Sequence, residues 1–570
     1  MKSGIFQLHD KAAYFAASHR RACTLLTLVC LALFLPGFFS LQPMDRDEPR
    51  FAQATKQMLE TGDLISIRFQ NEARNKKPVG IYWMQAALVR GAEAVGIPQA
   101  RASIWVYRLP SLFGAIAAAL LTYWAALAFA GRRTALLAGL LFASTLIIGV
   151  EARLAKTDAM MAATVVGAMG AMARIYLGQT SGLWKLAAFF WSAIGLGLLV
   201  KGPITPMVPL LALVALGIKD RGIGWARGLK PLAGLAWSLA LVAPWFILIM
   251  IATDGAFLRD SVGQDMLGKV SSGKESHGAP PLTYLAAFWA TAWPMAPFAA
   301  LAAPFAWAER RSRQIAFLLA WLIPSWIVFE VTPTKLPHYV LPLYPAIAIL
   351  CALAIERLGD QLVRGWRRVV LYWLPAFPLV LVAAAIGGAF FVKQQPGLLF
   401  FFGLPIIIAL AYVMARWLAW IKLDALAFAS PVLAFALYLG VYGGVLTGPT
   451  MSPFALSPRL AQALELAEAA NPACRDIAPA TTTYREPSLV FLTRTDIAML
   501  DAEQAAAFVR EAPCRAALVE SRVEARFLAA LGGDASIVVS ERLQGINLNG
   551  GRKLDIGVYV RGADVTGAQK

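Results

Sequence analysis

Long apolar stretches dominate the chain and set its predicted architecture. A helix needs about 20 residues to cross the roughly 30 Å hydrocarbon core of a bilayer, and thirteen stretches of about that length occur. They lie at 23–42, 107–129, 134–150, 159–177, 184–200, 203–219, 231–252, 283–308, 315–331, 337–356, 369–391, 398–417 and 426–447. The first has a basic flank and no small-residue cleavage site after it, so we expect a retained signal anchor. The pattern predicts a polytopic α-helical membrane protein with about thirteen transmembrane helices.

Composition agrees with this prediction and excludes a chain of several soluble domains. Of the 570 residues, 58% are hydrophobic and only 15% are charged, whereas soluble domains are about 25% charged. The formal net charge is +18. It does not indicate nucleic-acid binding, because membrane proteins accumulate Lys and Arg in their cytoplasmic loops.

Six basic clusters give the orientation of the predicted helices. They are Arg20-Arg21, Arg132-Arg133 and the loops at 219–230, 310–313, 357–368 and 416–422. With thirteen spans all six fall on one side, which the positive-inside rule makes the cytoplasm. We therefore expect a cytoplasmic N-terminus. The opposite side receives the loops 43–106 and 253–282, the turns 151–158 and 332–339, and everything after about residue 448.

The last part of the chain has a different pattern. Residues 1–447 form the predicted membrane domain, and 448–570 are expected to form a soluble, extracytoplasmic α/β domain. Helical patterns, RLAQALELAEAA and DAEQAAAFVREA, alternate there with the β-rich runs SLVFLT, RAALVE, SIVVS and IGVYV. Cys474 and Cys514 lie in this part and could form a disulfide outside the cytoplasm, but their spacing leaves that open.

Four polar clusters fall on the extracytoplasmic side. They are the stretch MDRDEPRFAQATKQMLETGD, the segment NKKPVGIYW, the turn EARLAKTD, and the turn TPTKLPHY, which is joined by Lys201 and by His277 of the 253–282 loop. In the first, Phe51, Ala54, Met58 and Leu59 predict an amphipathic helix along the interface. One such cluster alone fits an ordinary solvated loop better than a site. Four on the same side favour a site for chemistry.

Acids grouped with Lys and Arg at a membrane surface suit a phosphorylated amphiphile. Lys recognises phosphate as a point charge and Arg recognises it with paired hydrogen bonds. The carboxylates could act as a general base or hold a divalent ion on a leaving phosphate. The sequence has no GxxxxGK[ST] motif, so no nucleotide is expected. The activated substrate would have to reach the site in the membrane.

The same clusters resemble the motifs of the bacterial lipid A aminoarabinose transferases (ArnT), which have the GT-C fold and are related to the protein O-mannosyltransferases. Asp47-Glu48-Pro49-Arg50-Phe51 is similar to their DE-x-R-[YF] signature. The segments METGDLISIRF, KKPVGIYW, Lys201-Gly202 and TKLPHYVLPLYP match further motifs of that family in the same order. The resemblance spans most of the membrane part.

This resemblance implies a GT-C fold and a periplasmic active site at the first periplasmic loop, 43–106. It also implies inverting transfer of a sugar, similar to 4-amino-4-deoxy-L-arabinose, from undecaprenyl phosphate in the bacterial inner membrane. Lipid A phosphate is the expected acceptor. Asp47 would be the leading catalytic acid and Asp158 the second carboxylate, and a divalent metal could bind at Asp47 and Glu48. The residues expected to bind substrate are Glu48, Arg50, Lys77, Tyr82, Arg153, Lys201, His277, Lys335, His338 and Tyr339.

Two departures from the family pattern leave the sugar and the acceptor open. Lys76 stands where the family has an acid, and the stretch QDMLGKVSSGKESHGAPP keeps the family's histidine elements only in part, through His277. A relative that transfers galacturonic acid or a hexose to lipopolysaccharide or another glycan would have such a sequence. A transporter of lipid-linked sugars is a further alternative, which charges at mid-membrane or repeated halves would favour.

Overall fold

The helices of the membrane part follow the predicted apolar stretches. The computed structural model describes residues 13–43, 47–261, 263, 278–392, 398–418, 422–447, 449–474, 476–547 and 551–562. Every one of the thirteen stretches contains helix there. Among these residues, eight helical segments are long and apolar enough to cross a membrane, and Ala296–Ala308 and Phe402–Arg416 are shorter apolar helices. The chain is thus a multi-pass membrane protein, and the total of thirteen spans stays a prediction.

The α-helices of the membrane part are numbered in chain order. They are α1 His19–Phe34, α2 Asp47–Thr61, α3 Gly80–Ala94, α4 Ile104–Ala126, α5 Arg132–Ser144, α6 Leu146–Glu151, α7 Asp158–Tyr176, α8 Leu183–Lys201, α9 Ile204–Asp220, α10 Pro231–Ala252, α11 Thr283–Thr291, α12 Ala296–Ala308, α13 Arg313–Val331, α14 Tyr344–Leu358, α15 Trp373–Val392, α16 Leu398–Trp417 and α17 Leu423–Gly440. Short 3₁₀ helices include Pro337–Leu343, directly before α14. A two-stranded ribbon, β1 Arg68–Phe69 and β2 Glu72–Ala73, lies between α2 and α3.

Two glycines allow the close helix contacts that position the charged turns. A Cβ on Gly114 of α4 would lie 2.6 Å from the backbone nitrogen of Met160, near the start of α7. A Cβ on Gly80, at the start of α3, would lie 2.7 Å from the carbonyl oxygen of Leu199, near the end of α8. Because the opposing atoms belong to the backbone, they cannot turn aside as a side chain could. The NKKPVG segment is therefore held beside the end of α8.

The C-terminal part is built on a five-stranded sheet. Its strands are β3 Ala478–Thr481, β4 Ala498–Met499, β5 Arg515–Glu520, β6 Ile537–Ile546 and β7 Lys553–Arg561, in the spatial order β4-β3-β5-β7-β6. Strand β3 pairs in parallel with β4 and β5, whereas β7 runs antiparallel to β5 and β6. The helices are α18 Leu456–Ala470, α19 Pro487–Leu492, α20 Ala502–Glu511 and α21 Ser521–Leu531. A disulfide joins Cys474 to Cys514.

One predicted strand of this part is wrong. The run SLVFLT forms most of helix α19. Pro487 stands at its first position, where the fixed φ of proline suits a helix start and its missing N–H costs nothing. The Phe491 ring is fully buried against Tyr107 of α4, edge to face at 5.3 Å between centroids. The sequence of this six-residue run favours neither helix nor strand strongly enough to determine its conformation. Packing against α4 therefore determines it.

Helix α2 is enclosed by protein more completely than its amphipathic pattern predicts. Its polar side chains Gln53, Thr55, Lys56 and Gln57 are buried together with the apolar ones. The Lys56 ammonium donates to the Phe491 carbonyl at 3.0 Å, and the Gln53 amide donates to the Thr495 hydroxyl at 2.7 Å. Burial lowers the pKa of Lys56. The expected polar face is therefore the face on which the C-terminal part docks.

A buried ion pair fixes the start of α2 on the membrane helices. Arg108 of α4 donates to both oxygens of Glu48, at 2.7 Å from Nε and 3.0 Å from Nη2. Both side chains are almost wholly buried, and Glu48 also accepts the backbone N–H of Ala155 at 3.0 Å. The predicted substrate contact of Glu48 is not supported by this geometry, because its carboxylate is satisfied inside the protein. Glu48 instead holds α2 against the 151–158 turn.

We expect Arg108→Met to lower the free energy of unfolding by about 3–5 kcal/mol, because it leaves the buried Glu48 carboxylate without its partner. Unfolding of the purified protein in detergent, followed by denaturant titration, measures this loss. The control is Arg101→Met, which breaks a pair with Glu93 whose side chains are 43% and 36% exposed. That change should cost less than about 1 kcal/mol. Equal losses in the two variants would contradict the structural role of the buried pair.

Candidate active site

The centre of the site is a cluster of opposite charges where two membrane helices end. Asp158 is the first residue of α7 and Lys201 is the last of α8, and the two side chains form a buried ion pair. A carboxylate at the start of a helix interacts favourably with the helix dipole. Since neither helix could leave its charge unpaired in a low-dielectric interior, the pair also fixes how the two helix ends meet.

His338 lies between the two acids of the 151–158 turn. Its Nδ1 is 3.6 Å from Glu151 Oε1, and its Nε2 is 3.6 Å from Asp158 Oδ1. The Lys156 ammonium lies 3.5 Å from the same oxygen of Glu151. The imidazole therefore connects both carboxylates, and a small shift would bring either ring nitrogen to hydrogen-bond distance. Glu151 and Lys156 belong to a cluster that the sequence singled out, although neither was expected to bind substrate.

Tyr339 closes the cluster from the side of the TPTKLPHY turn. Its ring meets that of His338 edge to face at 5.1 Å, and the Lys201 ammonium lies 5.6 Å from the centre of the Tyr339 ring. Lys335 is buried and donates to the carbonyls of Ala279 at 3.0 Å and Thr332 at 2.9 Å. These two bonds hold the turn in place and use two of the three N–H donors of Lys335.

Asp47 is the first residue of α2. It is half-buried at the start of α2, next to Glu48, whose carboxylate binds the backbone of Ala155 in that turn. Asp47 is close enough to the Tyr82 hydroxyl to interact with it electrostatically. Tyr82 is fully buried, and burial raises the pKa of its hydroxyl. The ion pair of Glu48 and its bond to Ala155 thus hold the start of α2, which carries Asp47, against the 151–158 turn.

The predicted residues Arg50 and Lys77 are half-buried near the same segment. Arg74, which the sequence reasoning missed, donates from Nε to the Tyr82 hydroxyl at 3.4 Å, and its guanidinium lies 5.1 Å from the Phe51 ring centre. Arg108 was missed as well. An arginine inside the apolar stretch 107–129 is costly, and this was the signal that could have marked it. His277 lies outside the described residues.

Arg153, a predicted substrate-binding residue, is held by contacts inside the protein. Its guanidinium donates to the carbonyls of Leu33, Pro36 and Gly149. It also stacks over Tyr442 at 4.0 Å from the ring centre. These contacts surround the guanidinium and leave it about 1% exposed. Arg153 therefore connects the end of α1 to α6, and its charged group is satisfied by protein groups.

The predicted metal site does not fit Glu48. Both oxygens of that carboxylate already accept hydrogen bonds from Arg108, and a cation there would also meet the guanidinium charge. Within the described ranges, no group of three or more His, Cys, Asp or Glu side chains is arranged to hold a metal ion. The divalent metal stays a prediction. What the cluster offers is a buried arrangement of two carboxylates, two ammonium groups, an imidazole and a phenol.

The chain is similar in sequence to known proteins. The family model of dolichyl-phosphate-mannose-protein mannosyltransferases matches residues 47–222. That range begins at Asp47 and includes Asp158 and Lys201. The chain is 29% identical over 313 residues to the undecaprenyl phosphate-alpha-4-amino-4-deoxy-L-arabinose arabinosyl transferase of Erwinia tasmaniensis, covering 54% of each chain. It is 26% identical over 391 residues to the protein of that name from Pectobacterium carotovorum, covering 66% of this chain and 67% of the relative.

A solved structure extends the likeness over nearly the whole chain. The crystal structure of ArnT from Cupriavidus metallidurans bound to undecaprenyl phosphate superimposes with a TM-score of 0.71 at 19% identity, over 96% of this chain and 99% of that one. Its apo structure gives a TM-score of 0.70. At this identity the likeness shows the fold, which is the one expected from the motifs. The predicted resemblance is confirmed: the chain is ArnT-like and has the GT-C glycosyltransferase fold.

Proposed function

We propose that this protein is a glycosyltransferase of the bacterial inner membrane that moves a sugar similar to 4-amino-4-deoxy-L-arabinose from undecaprenyl phosphate to lipid A phosphate. The curated relatives bear the name of such a transferase. The matched segment spans 54% of the first relative and 67% of the second, so donor and acceptor are part of the proposal. The observation that carries it is the buried Asp158–Lys201 cluster at the helix ends.

The cluster suits the departure of a lipid phosphate. In the transfer, an acceptor oxygen forms a bond to the anomeric carbon, and the bond from that carbon to the donor phosphate oxygen breaks. Negative charge then grows on the leaving undecaprenyl phosphate. Lys201 and Lys156 would stabilise this charge in a site that excludes water, where fixed charges act most strongly. Tyr339 and His338 supply hydrogen-bond donors beside them, and the ion pair with Asp158 holds Lys201 in place.

Asp47 has a different role in this proposal. A lipid A phosphate oxygen is already ionised at neutral pH, so it needs no strong base to attack the sugar. Asp47 would orient the acceptor and the sugar from the start of α2. Glu48 has no part in this role, because its carboxylate is paired with Arg108.

The proposed orientation places the N-terminus in the cytoplasm and the active site and the C-terminal part in the periplasm. The six basic loops support it through the positive-inside rule. The Cys474–Cys514 disulfide supports it independently, since such bonds persist in oxidising compartments and are rare in the cytoplasm. The remaining cysteines, Cys23, Cys30 and Cys351, are free and lie in the membrane part.

We expect Asp158→Asn and Asp47→Asn each to lower kcat/KM by roughly a hundredfold or more, the range lost with one positioned catalytic or charge-stabilising group. The assay uses purified protein, undecaprenyl phosphate carrying labelled 4-amino-4-deoxy-L-arabinose, and lipid A. The control is Asp254→Asn in an exposed loop position of the same side, which should keep wild-type activity. Full transfer by both variants would show that the reaction takes place elsewhere.

The orientation predicts which introduced thiols are accessible from outside. A membrane-impermeant maleimide added to spheroplasts should label a Glu72→Cys variant, whose exposed position lies in the ribbon of the first extracytoplasmic loop. The matched variant Arg311→Cys, exposed in a predicted cytoplasmic loop, should react only after the membrane is permeabilised. The wild-type protein gives the background from its native thiols. The opposite labelling pattern would refute the proposed sides.

A further inference from the structure

Glu330 stands apart from the other acids of the protein's charged turns. It is the residue before the last in α13 and directly precedes the turn that carries Lys335, His338 and Tyr339. Both of its carboxylate oxygens are buried, and neither has a hydrogen-bond partner within the part of the chain that the structure describes. By contrast, Asp158 is paired with Lys201, and Glu48 with Arg108.

Its surroundings connect Glu330 to the proposed active site. The hydroxyl of Tyr284, on α11, is close enough to interact electrostatically with both the Glu330 carboxylate and the Tyr339 phenol. Tyr339 in turn contacts His338 and lies under the Lys201 ammonium. Glu330 therefore lies close to the turn whose Tyr339 belongs to the charged cluster. Tyr284 is only about 1% exposed, so this region lies inside the protein.

A buried carboxylate without a partner is strongly disfavoured, because it has lost its water and gained neither a hydrogen bond nor an opposite charge. Such a carboxylate is tolerated when a ligand supplies the hydrogen bond or the opposite charge that the protein does not. Buried ionisable groups in membrane proteins are often part of functional sites. The missing partner must be a cation or a strong hydrogen-bond donor. A second carboxylate, as in a uronic acid, would be repelled, and a hydroxyl would satisfy the charge poorly.

We propose that Glu330 binds the ammonium group of an amino sugar and so sets the preference of this protein for a donor that carries a positive charge on its sugar. This inference rests on the proposed transfer from undecaprenyl phosphate and adds the residue that recognises the charged group of its sugar. The phosphate of such a donor would lie by Lys201 and its ammonium by Glu330. The negative phosphate would then pair with a lysine and the positive sugar with a carboxylate. This pairing would orient the donor as well as bind it.

The test compares two donors that differ at one position. One is undecaprenyl phosphate carrying 4-amino-4-deoxy-L-arabinose, and the other carries L-arabinose, with a hydroxyl in place of the amine. Wild-type protein should prefer the amino donor in kcat/KM. Glu330→Gln should lower kcat/KM for the amino donor roughly tenfold to a hundredfold, the worth of one hydrogen bond to a charged group. The L-arabinose donor should change little. Glu309→Gln, at an exposed position after α12, is the matched control.

Thermal unfolding separates this role from a structural one. Because Glu330→Gln removes a buried charge that has no partner, Tm of the ligand-free protein should stay the same or rise. Added amino donor should stabilise wild-type protein more than the variant. A clear fall in Tm without ligand, or equal losses of activity with both donors, would overturn the inference while leaving the transfer intact. A wild-type protein that uses neither donor would refute the proposed function, and this inference with it.

Discussion

The structure depends most on opposite charges buried where its membrane helices end. An ion removed from water costs several kcal/mol unless a partner meets it with good geometry. Asp158 and Lys201 meet this condition only when the start of α7 and the end of α8 are brought together. Glu48 and Arg108 meet it only when the start of α2 lies on α4. Each pair is thus a constraint on how elements distant in sequence are placed.

These constraints have different consequences for function. The Glu48–Arg108 pair is satisfied within the protein, since Arg108 also donates to the carbonyls of Phe38, Leu41 and Gln42. Its role is to hold the elements around the proposed site in position. The Asp158–Lys201 pair has His338, Tyr339 and Lys156 close to it. Burial strengthens the interactions of these charges, and under the proposed function they act on the donor phosphate. The C-terminal part also helps to hold α2 in position, because it covers the polar face of that helix.

Much of this arrangement could be predicted from the sequence. Apolar length located the helices, and the basic loops assigned the turns containing Asp158 and His338 to one side, where the structure brings them together. The sequence could not distinguish charges that face a ligand from charges used inside. Glu48 and Arg153 look like binding residues. Yet Glu48 is paired with Arg108, and Arg153 donates to the carbonyls of Leu33 and Pro36, which are distant in sequence, and to that of nearby Gly149. Only the fold brings the distant partners near. The helix at 487–492 was missed for the same reason.

The central claim is that the buried Asp158–Lys201 cluster is the place where a polyprenyl phosphate sugar reacts with lipid A. The lipid A mass profile of a strain that lacks this protein tests it most directly. Wild-type protein should restore lipid A species heavier by one amino pentose. The double variant Asp158→Asn/Lys201→Met, which removes both charges together, should reach the membrane in normal amounts and restore none. Unaltered lipid A in the deletion strain, or full restoration by the double variant, would contradict the account.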